Sequence, residues 1–272
     1  SGLSGQPNVS SDMDGIFGGH EIIATRDYQW KTFTPQMLNM DGWGKYEKAP
    51  FTFGEPYTGI SRMYNKLKAQ LMPYSYTTAY AAANIDVNND DTGLPMVRAM
   101  FLAYPEDSYA YSKDMQYQFM WGDSFLVAPV YQDTAADENG NDVRNNIYLP
   151  DADQIWIDYL TGKQYQGGQV LNNYDAPLWK LPVFVKNGAI IPMYTENNNP
   201  EPITETNPNG LDKANRIIEF YPAGSTQYTV VEDDGDYVEN TITEVEGYGK
   251  VESIDYGSRV ETLLTSEVEG DT

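Results

Sequence analysis

The chain has 272 residues, 40% of them hydrophobic, which is enough to bury one large core or two smaller ones. Its formal net charge is −23, from 40 acidic and 17 basic residues, and this charge repels phosphate backbones and disfavours nucleic acid as a partner. The absence of Cys excludes a disulfide scaffold, and the single His excludes a zinc site built from several histidines.

The remaining composition bears on location and on ligand class. No apolar run approaches the length of a membrane span, so we expect no membrane partner. The 22 Tyr against 9 Phe fit two interpretations, tyrosines half-buried in β-strands or tyrosines that stack on sugars. No signal peptide is visible in the sequence, and an extracellular bacterial location is favoured over a cytoplasmic one.

The first twenty residues carry two acidic side chains next to a glycine-rich turn. Residues 7–11 are predicted to form a buried strand that ends at Asp12 and Asp14, and three glycines follow within residues 15–19. Carboxylates at the C-terminal end of a strand are typical of (β/α)-barrel active sites. Because this arrangement comes so early, we expect the chain to be the later part of an enzyme.

A second unit of the same kind follows. A helix is predicted around residues 21–30, and a strand over residues 31–39 ends just before Asp41 and Trp43. The order strand, carboxylate, helix, strand, carboxylate is typical of two successive βα units. Residues 56–83 then predict a long helix with an apolar face, which Pro73 should kink or break.

From residue 93 the pattern changes to short strands. Residues 94–104 predict a strand, residues 118–131 an element or a pair, and further strands are predicted at 145–149, 154–158, 182–185 and 189–192. Turn signals between them favour a β-sandwich. Residues 195–210 look like a linker, and strands at 216–221 and 227–232 begin a second all-β part with no closing strand before Asp271 and Thr272.

These patterns predict an α/β part followed by an all-β part. The C-terminal portion of a (β/α)8 barrel is expected at residues 1–115 and a proximal β-sandwich at residues 116–196. Residues 197–272 are expected to hold a linker and the start of a distal, truncated sandwich.

The motifs, taken in order, resemble those of glycoside hydrolase family 31. Residues 2–7 with 11–15 are similar to its seventh-strand motif, and residues 93–99 to its proline-valine-arginine strand. The other collinear matches are residues 71–76, 118–123, 126–130, 148–150, 156–162, 182–192 and 232–235. Each match is short, but the ordered set covers nearly the whole chain.

The resemblance implies a retaining mechanism with two Asp residues, a nucleophile on the fourth barrel strand and an acid/base after the sixth. Neither the tryptophan-aspartate-methionine-asparagine run nor the tryptophan-serine-glycine-aspartate run of these motifs occurs here. We therefore expect both catalytic residues upstream of Ser1, so the missing N-terminal part is an expected partner and the isolated chain is expected to be inactive. The expected ligand is an α-glucan or oligosaccharide.

The resemblance also assigns five substrate-binding residues: Asp12, Asp14, Phe17, Asp41 and Trp43. Asp12 would hold a sugar hydroxyl or a neighbouring Arg, or else cap the following turn. Asp14 and Phe17 lie in the turn where the family often places an aromatic residue beside the sugar. Trp43 would stack on a sugar ring or pack within its loop.

One departure from the family pattern affects specificity. Family α-glucosidases usually have a His after the eighth strand, and here Asp41 is the nearest polar residue. An ionised Asp accepts hydrogen bonds from hydroxyls but cannot donate them. This disfavours a plain maltase-type specificity and favours the branch that handles isomaltosyl or α-1,3-linked glucans, including cycloalternan-forming transglycosylases.

Two acidic runs match part of the pattern of a calcium-binding loop. Residues 86–90 begin such a loop, but Asp91 replaces its glycine and no Glu closes it, and residues 137–142 are similarly incomplete. Solvated acidic turns are the favoured interpretation, so no cofactor is expected and calcium is the alternative.

The alternative function class is a non-catalytic carbohydrate-binding β-sandwich protein. The predicted sandwich and the tyrosine surplus are compatible with this class. A non-catalytic binding protein does not, however, explain the two strand-end carboxylate motifs.

Overall fold

A computed structural model describes residues 2–10, 12–13, 20–39, 49–83, 93–197, 199–233, 245–246, 249–255 and 259–267. The α-helices are α1 (Glu21–Lys31), α2 (Tyr57–Gln70), α3 (Met72–Ala82) and α4 (Met100–Ala103). Short 3-10 helices lie at Gly2–Ser4, Ser108–Tyr111 and Lys113–Tyr117.

The strands are β1 (Asp12–Met13), β2 (Leu38–Asn39), β3 (Val97–Ala99), β4 (Phe119–Trp121), β5 (Phe125–Val127), β6 (Asp142–Arg144), β7 (Ile147–Leu149), β8 (Ile155–Asp158), β9 (Gln164–Gln166), β10 (Gln169–Leu171), β11 (Tyr174–Ala176), β12 (Val183–Lys186), β13 (Ile190–Tyr194), β14 (Asn199–Pro202), β15 (Gly210–Leu211), β16 (Arg216–Phe220), β17 (Ser225–Asp233), β18 (Val245–Glu246), β19 (Gly249–Asp255) and β20 (Arg259–Glu267). They fall into two compact units: the first is Ser1–Lys68 with Met96–Val185, and the second is Ala69–Pro95 with Lys186–Thr272.

The first unit begins with a βαβ arrangement. Strands β1 and β2 pair in parallel, with Asp12 opposite Leu38 and Met13 opposite Asn39. A parallel pair needs a crossover connection, and α1 lies between the two strands in the chain. His20 caps this helix, because its Nδ1 accepts the Ile22 amide at 3.3 Å. The arrangement is the barrel part of the predicted fold.

The rest of the first unit is built from antiparallel strands. A six-stranded sheet has the order β3-β4-β5-β12-β8-β9. Two separate antiparallel pairs, β7–β10 and β6–β11, are formed by strands that lie between β5 and β12 in the chain. Its core holds buried side chains from both the large sheet and the small pairs, among them Met120, Leu126, Leu149, Trp156 and Phe184. The buried indole of Trp156 donates to the carbonyl oxygen of Pro150 at 2.9 Å, so the one polar atom of this side chain has a hydrogen-bond partner. The predicted α/β plus β-sandwich fold class is therefore confirmed.

The second unit packs α3 against β-strands. Strands β17, β20, β19 and β18 form one sheet in that order, and β13 pairs with β16. The Oγ1 of Thr77 on α3 accepts the Val231 amide at 2.9 Å, and the rings of Tyr74 and Tyr228 stack with centroids 5.8 Å apart. Pro73 lies in the first turn of α3, where its missing N–H costs nothing, and the predicted break at this proline is confirmed.

Several predicted strand bounds were wrong. Residues 7–10 do not form a strand, because Pro7 and Asn8 lie in a turn, and the first described strand begins at Asp12. The predicted strand over residues 31–39 is reduced to β2, because α1 extends through Lys31. In the predicted strand at residues 94–104 only β3 is extended, and helix α4 follows it at once.

Two strands of the C-terminal part were not predicted. The predicted linker at residues 195–210 contains β14, which pairs in parallel with β15. Strand β20 lies close to the end of the chain and pairs with both β17 and β19 over nine and seven positions. This strand was not predicted because residues 259–267 alternate charged and threonine residues with apolar ones and contain no continuous apolar run.

Within the ranges that the structure describes, no helix combines the length and the apolar character needed to cross a bilayer.

Candidate functional site

The predicted site residues lie in β1 or follow β1 and β2 in the chain. Asp12 is the first residue of β1, and its register opposite Leu38 places the two strand ends side by side. Asp14 directly follows β1, and Asp41 comes two residues after β2. Because parallel strands end at the same edge of a sheet, the segments that carry both carboxylates leave from one edge.

The structure does not describe the side chains of the five predicted site residues. Asp14, Phe17, Asp41 and Trp43 lie outside the described residues, and for Asp12 the structure describes the strand only. Their roles in substrate binding therefore stay predictions. The structure does show that the two segments start from paired strands, which is what a shared pocket requires.

A polar network holds the segments that lead into the two strands. The Ser10 hydroxyl donates to Thr34 Oγ1 at 3.1 Å, and Thr34 Oγ1 in turn lies 2.8 Å from the carbonyl oxygen of Lys31 and 2.6 Å from that of Gln36. The Lys68 ammonium of α2 donates to the carbonyl oxygen of Thr34. Ser10 precedes β1 and Thr34 precedes β2, so this network fixes the approach of both strands to the site.

The Lys68 ammonium lies in a largely apolar environment. Its Nζ is 5.4 Å from the centroid of the Trp121 ring, and burial lowers the pKa of Lys68 to about 8. This burial was not predicted, because Lys68 is not one of the apolar residues whose helical spacing predicted the buried face of α2.

We expect Lys68→Met to change how stability depends on pH. The folded-state pKa of about 8 lies below the ordinary lysine value of about 10.4, so between these values the unfolded chain binds more protons. The free energy of unfolding of the wild type should therefore rise with pH relative to that of Lys68→Met from about pH 8 to 10. Denaturant unfolding at several pH values measures this, and the exposed Lys113→Met variant is the control. Equal pH dependence in wild type and Lys68→Met would contradict the buried state of the ammonium.

Helix α1 is attached to the sandwich of the first unit by one arginine. The Arg26 guanidinium donates to three carbonyl oxygens, those of Gly140 at 2.9 Å, Ala176 at 2.6 Å and Lys180 at 3.0 Å. Its side chain is buried, and burial lowers its pKa to about 10. A Cβ at Gly140 would lie 2.7 Å from Cγ2 of Ile22, so a glycine is needed where α1 approaches this closely.

Two more side chains hold the segment of residues 176–181, which we call the clamped segment. Gln29 of α1 donates from Nε2 to the carbonyl oxygen of Leu178 at 2.5 Å. Tyr64 of α2 donates to the carbonyl oxygen of Trp179 at 2.9 Å and accepts the Leu181 amide at 2.8 Å. Burial raises the pKa of the Tyr64 phenol, which keeps it a donor over the ordinary pH range. The helices that flank β2 in the chain are thereby fixed to the sandwich.

A buried ion pair lies at the end of the clamped segment. Asp158 and Lys180 are both buried, and their charged atoms lie 3.0 Å apart. The Tyr174 hydroxyl donates to the same carboxylate, and the amides of Leu160 and Thr161 donate to it at 3.1 and 3.2 Å. Burial opposes the charge of Asp158, but the hydrogen bonds from Tyr174, Lys180 and Thr161 outweigh it and hold its pKa below the ordinary value.

The candidate calcium runs do not gather into a site among the described residues. The Asp137 carboxylate closes its own turn, accepting the amides of Asn139 and Asn141 at 2.9 and 3.0 Å. Residues 86–90 lie outside the described residues. Where the structure describes the chain, no three His, Cys, Asp or Glu side chains converge as a metal site would require.

Comparison with known proteins supports the family that the motifs suggested. Residues 1–78 match the glycosyl hydrolases family 31 TIM-barrel domain, and residues 93–191 match the glycosyl hydrolase family 31 C-terminal domain. The chain belongs to glycoside hydrolase family 31. The barrel match contains β1, α1 and β2, and the C-terminal match contains the sandwich strands of the first unit. The predicted boundaries at residues 115 and 196 stay predictions.

Individual relatives agree with this assignment. The chain is 34% identical to an isomaltosyltransferase of Sporosarcina globispora over 91% of its length and 22% of that protein. It resembles a family 31 dextranase of Flavobacterium johnsoniae, solved as a mutant complexed with isomaltotriose, with a TM-score of 0.66 and 30% identity over 86% of the chain and 27% of the dextranase. A cycloalternan-forming enzyme of Listeria monocytogenes, at 21% identity and TM-score 0.66, shares the fold over 98% of the chain and 30% of that enzyme. The chain thus spans about a quarter of the length of these relatives.

Proposed function

We propose that the chain forms one wall of the sugar pocket in a retaining α-glucoside hydrolase or transglycosylase that acts on α-glucans or oligosaccharides. The observation that carries the proposal is the parallel pairing of β1 with β2, from whose shared edge the segments with Asp14 and Asp41 depart. In a (β/α)-barrel this edge is where substrate-binding residues lie.

The catalytic pair is proposed to lie outside this chain. A retaining glycosidase needs one carboxylate as nucleophile and a second carboxyl as acid/base, about 5 Å apart across the scissile bond. Neither of the two family runs that carry the catalytic Asp residues includes Asp12 or Asp14, because neither run occurs in this chain. We therefore assign them to substrate binding and the catalytic pair to the part of the enzyme upstream of Ser1.

Isomaltosyl-containing glucans are the proposed substrate class. The 34% identical relative is an isomaltosyltransferase, and the dextranase that shares the fold at 30% identity was solved with isomaltotriose. The Asp at position 41, where family α-glucosidases usually have a His, supports the same branch.

The proposal is tested first by assaying the isolated chain and the complete enzyme with isomaltotriose. We expect turnover only by the complete enzyme, with glucose as the product of hydrolysis or longer oligosaccharides as the products of transfer. Turnover by the isolated 272-residue chain would show that the catalytic pair lies within it. A complete enzyme that binds α-glucans without turnover would favour the non-catalytic alternative.

We predict that Asp12→Asn in the complete enzyme lowers kcat/KM by about 10- to 100-fold. The loss of a charge-assisted hydrogen bond costs about 1.5–3 kcal/mol, and each 1.4 kcal/mol is a factor of ten. Asn caps turns about as well as Asp, so a residue that serves only as a cap would leave kcat/KM nearly unchanged. Steady-state kinetics on isomaltotriose distinguish these outcomes, and Asp133→Asn, at an exposed position, is the matched control.

A further inference from the structure

Two exposed tyrosines close the two successive 3-10 helices of the first unit. Tyr111 ends the helix Ser108–Tyr111, and Tyr117 ends the helix Lys113–Tyr117. The helices are capped by Asp107 and Ser112, whose side chains accept the amides of Tyr109 and Asp114 at 2.9 and 3.2 Å. The exposed fractions are 58% for Tyr111 and 42% for Tyr117.

Each of these tyrosines is supported from one side by another aromatic ring. Tyr117 stacks on Tyr131 with centroids 3.8 Å apart, and Tyr111 stacks on Phe101 with centroids 5.5 Å apart, both at an interplanar angle of 23°. Among the described residues no second ring covers either tyrosine. A ring held on one side and exposed on the other offers a flat face in a fixed orientation.

A buried arginine fixes the Tyr117–Tyr131 stack. The guanidinium of Arg144 lies over the Tyr131 ring, 4.7 Å from its centroid, and donates to the carbonyl oxygens of Pro129 at 2.8 Å and Tyr117 at 3.4 Å. Arg144 is only 4% exposed, whereas Tyr131 is 37% and Tyr117 42% exposed, so a buried guanidinium supports an exposed pair of rings.

Charge decides which ligand such a face would take. Exposed stacked rings bind nucleobases or sugars, because both present flat or weakly positive C–H surfaces to the ring. The net charge of −23 opposes a polyanion, whereas a neutral saccharide pays no electrostatic cost. The exposed side chains of Lys113, Asp114 and Gln116 between the two rings supply donors and acceptors for sugar hydroxyls.

We propose that residues 108–117 form a carbohydrate-contacting surface, the η surface, on which the ring faces of Tyr117 and Tyr111 stack against glucosyl units of an α-glucan chain. The choice of an α-glucan among neutral saccharides rests on the proposed function. The surface itself does not, because its aromatic groups belong to residues 101–131, outside the chain segments that carry the two strand-end carboxylates.

Affinity electrophoresis of the 272-residue chain in gels with soluble dextran tests this proposal without any turnover. We expect the wild type to be retarded, Tyr117→Ala to weaken the apparent affinity by about 5- to 10-fold, and the double variant with Tyr111→Ala to lose retardation. Tyr117→Phe keeps the ring face and should bind like the wild type. Phe51→Ala is the matched control, because Phe51 is exposed but no ring contact supports it among the described residues.

Three outcomes would overturn the proposal: no retardation of the wild type, equal retardation of Tyr117→Ala and wild type, or retention of a single-stranded oligonucleotide in place of dextran. Thermal unfolding of each variant by circular dichroism shows whether a loss of binding reflects a loss of fold, and Tyr111→Ala, which should also weaken retardation, provides the second measurement if Tyr117→Ala unfolds. If the 272-residue chain binds dextran but the complete enzyme has no activity, the proposed function is refuted, whereas the proposed η surface is supported.

Discussion

Arg26→Met is expected to lower the free energy of unfolding of the chain by about 3–5 kcal/mol. The substitution keeps the helical propensity and most of the volume of the side chain, but it removes hydrogen bonds to the carbonyl oxygens of Gly140, Ala176 and Lys180. These acceptors are buried together with the guanidinium, so each would be left without this donor, and an unsatisfied buried acceptor costs about 1–3 kcal/mol.

Urea unfolding followed by tryptophan fluorescence measures the effect of Arg26→Met. Arg62→Met is the control, because Arg62 is exposed on α2 and should change stability by less than about 0.5 kcal/mol. A cost below about 1 kcal/mol for Arg26→Met would show that water or another donor replaces the guanidinium, and that α1 does not depend on this attachment.

Asp158→Asn is expected to cost about 3–5 kcal/mol at neutral pH, because it leaves the buried ammonium of Lys180 without its counter-ion. The double variant Asp158→Asn with Lys180→Met should cost less than the sum of the two single variants, since removing both charges removes the unpaired one. Asp175→Asn, at an exposed position on β11, is the control and should be nearly neutral.

The same variant has a defined pH signature. The pKa of Asp158 is depressed in the folded protein, so the stabilisation by its carboxylate is present above the unfolded value of about 3.9 and is lost as pH falls below it. The gap in unfolding free energy between wild type and Asp158→Asn should therefore narrow as pH falls from about 5 through the folded pKa. A gap that stays constant over this range would mean that the Asp158 carboxylate is not stabilised by its partners.

Local sequence signals predicted the parts of the fold that depend on local chemistry. The helical segment within residues 56–83 and its break at Pro73 follow from helical spacing and from the missing N–H of proline, and both are present in the structure. The strand predicted at residues 94–104 was wrong in part. An apolar run of this length does not distinguish a strand from a short helix, and helix α4 occupies its later half.

Long-range polar contacts could not be predicted from the sequence. Arg26 looks like a solvent-facing residue of a polar helix, and its partners are backbone carbonyls, which every residue has. The stack of Arg144, Tyr131 and Tyr117 likewise joins three segments that have no shared periodicity. The family motifs predict the candidate site, and the roles of Asp12, Asp14, Phe17, Asp41 and Trp43 in it stay predictions.

The attachment of α1 through Arg26 has a consequence for biosynthesis. The acceptors of Arg26 lie 114 to 154 residues later in the chain. At a translation rate of about 5–20 residues per second, roughly 6–30 s separate the synthesis of α1 from that of its acceptors. During this interval water solvates the guanidinium and α1 cannot dock through it, so chains that terminate before residue 176 should be preferred substrates for chaperones and proteases.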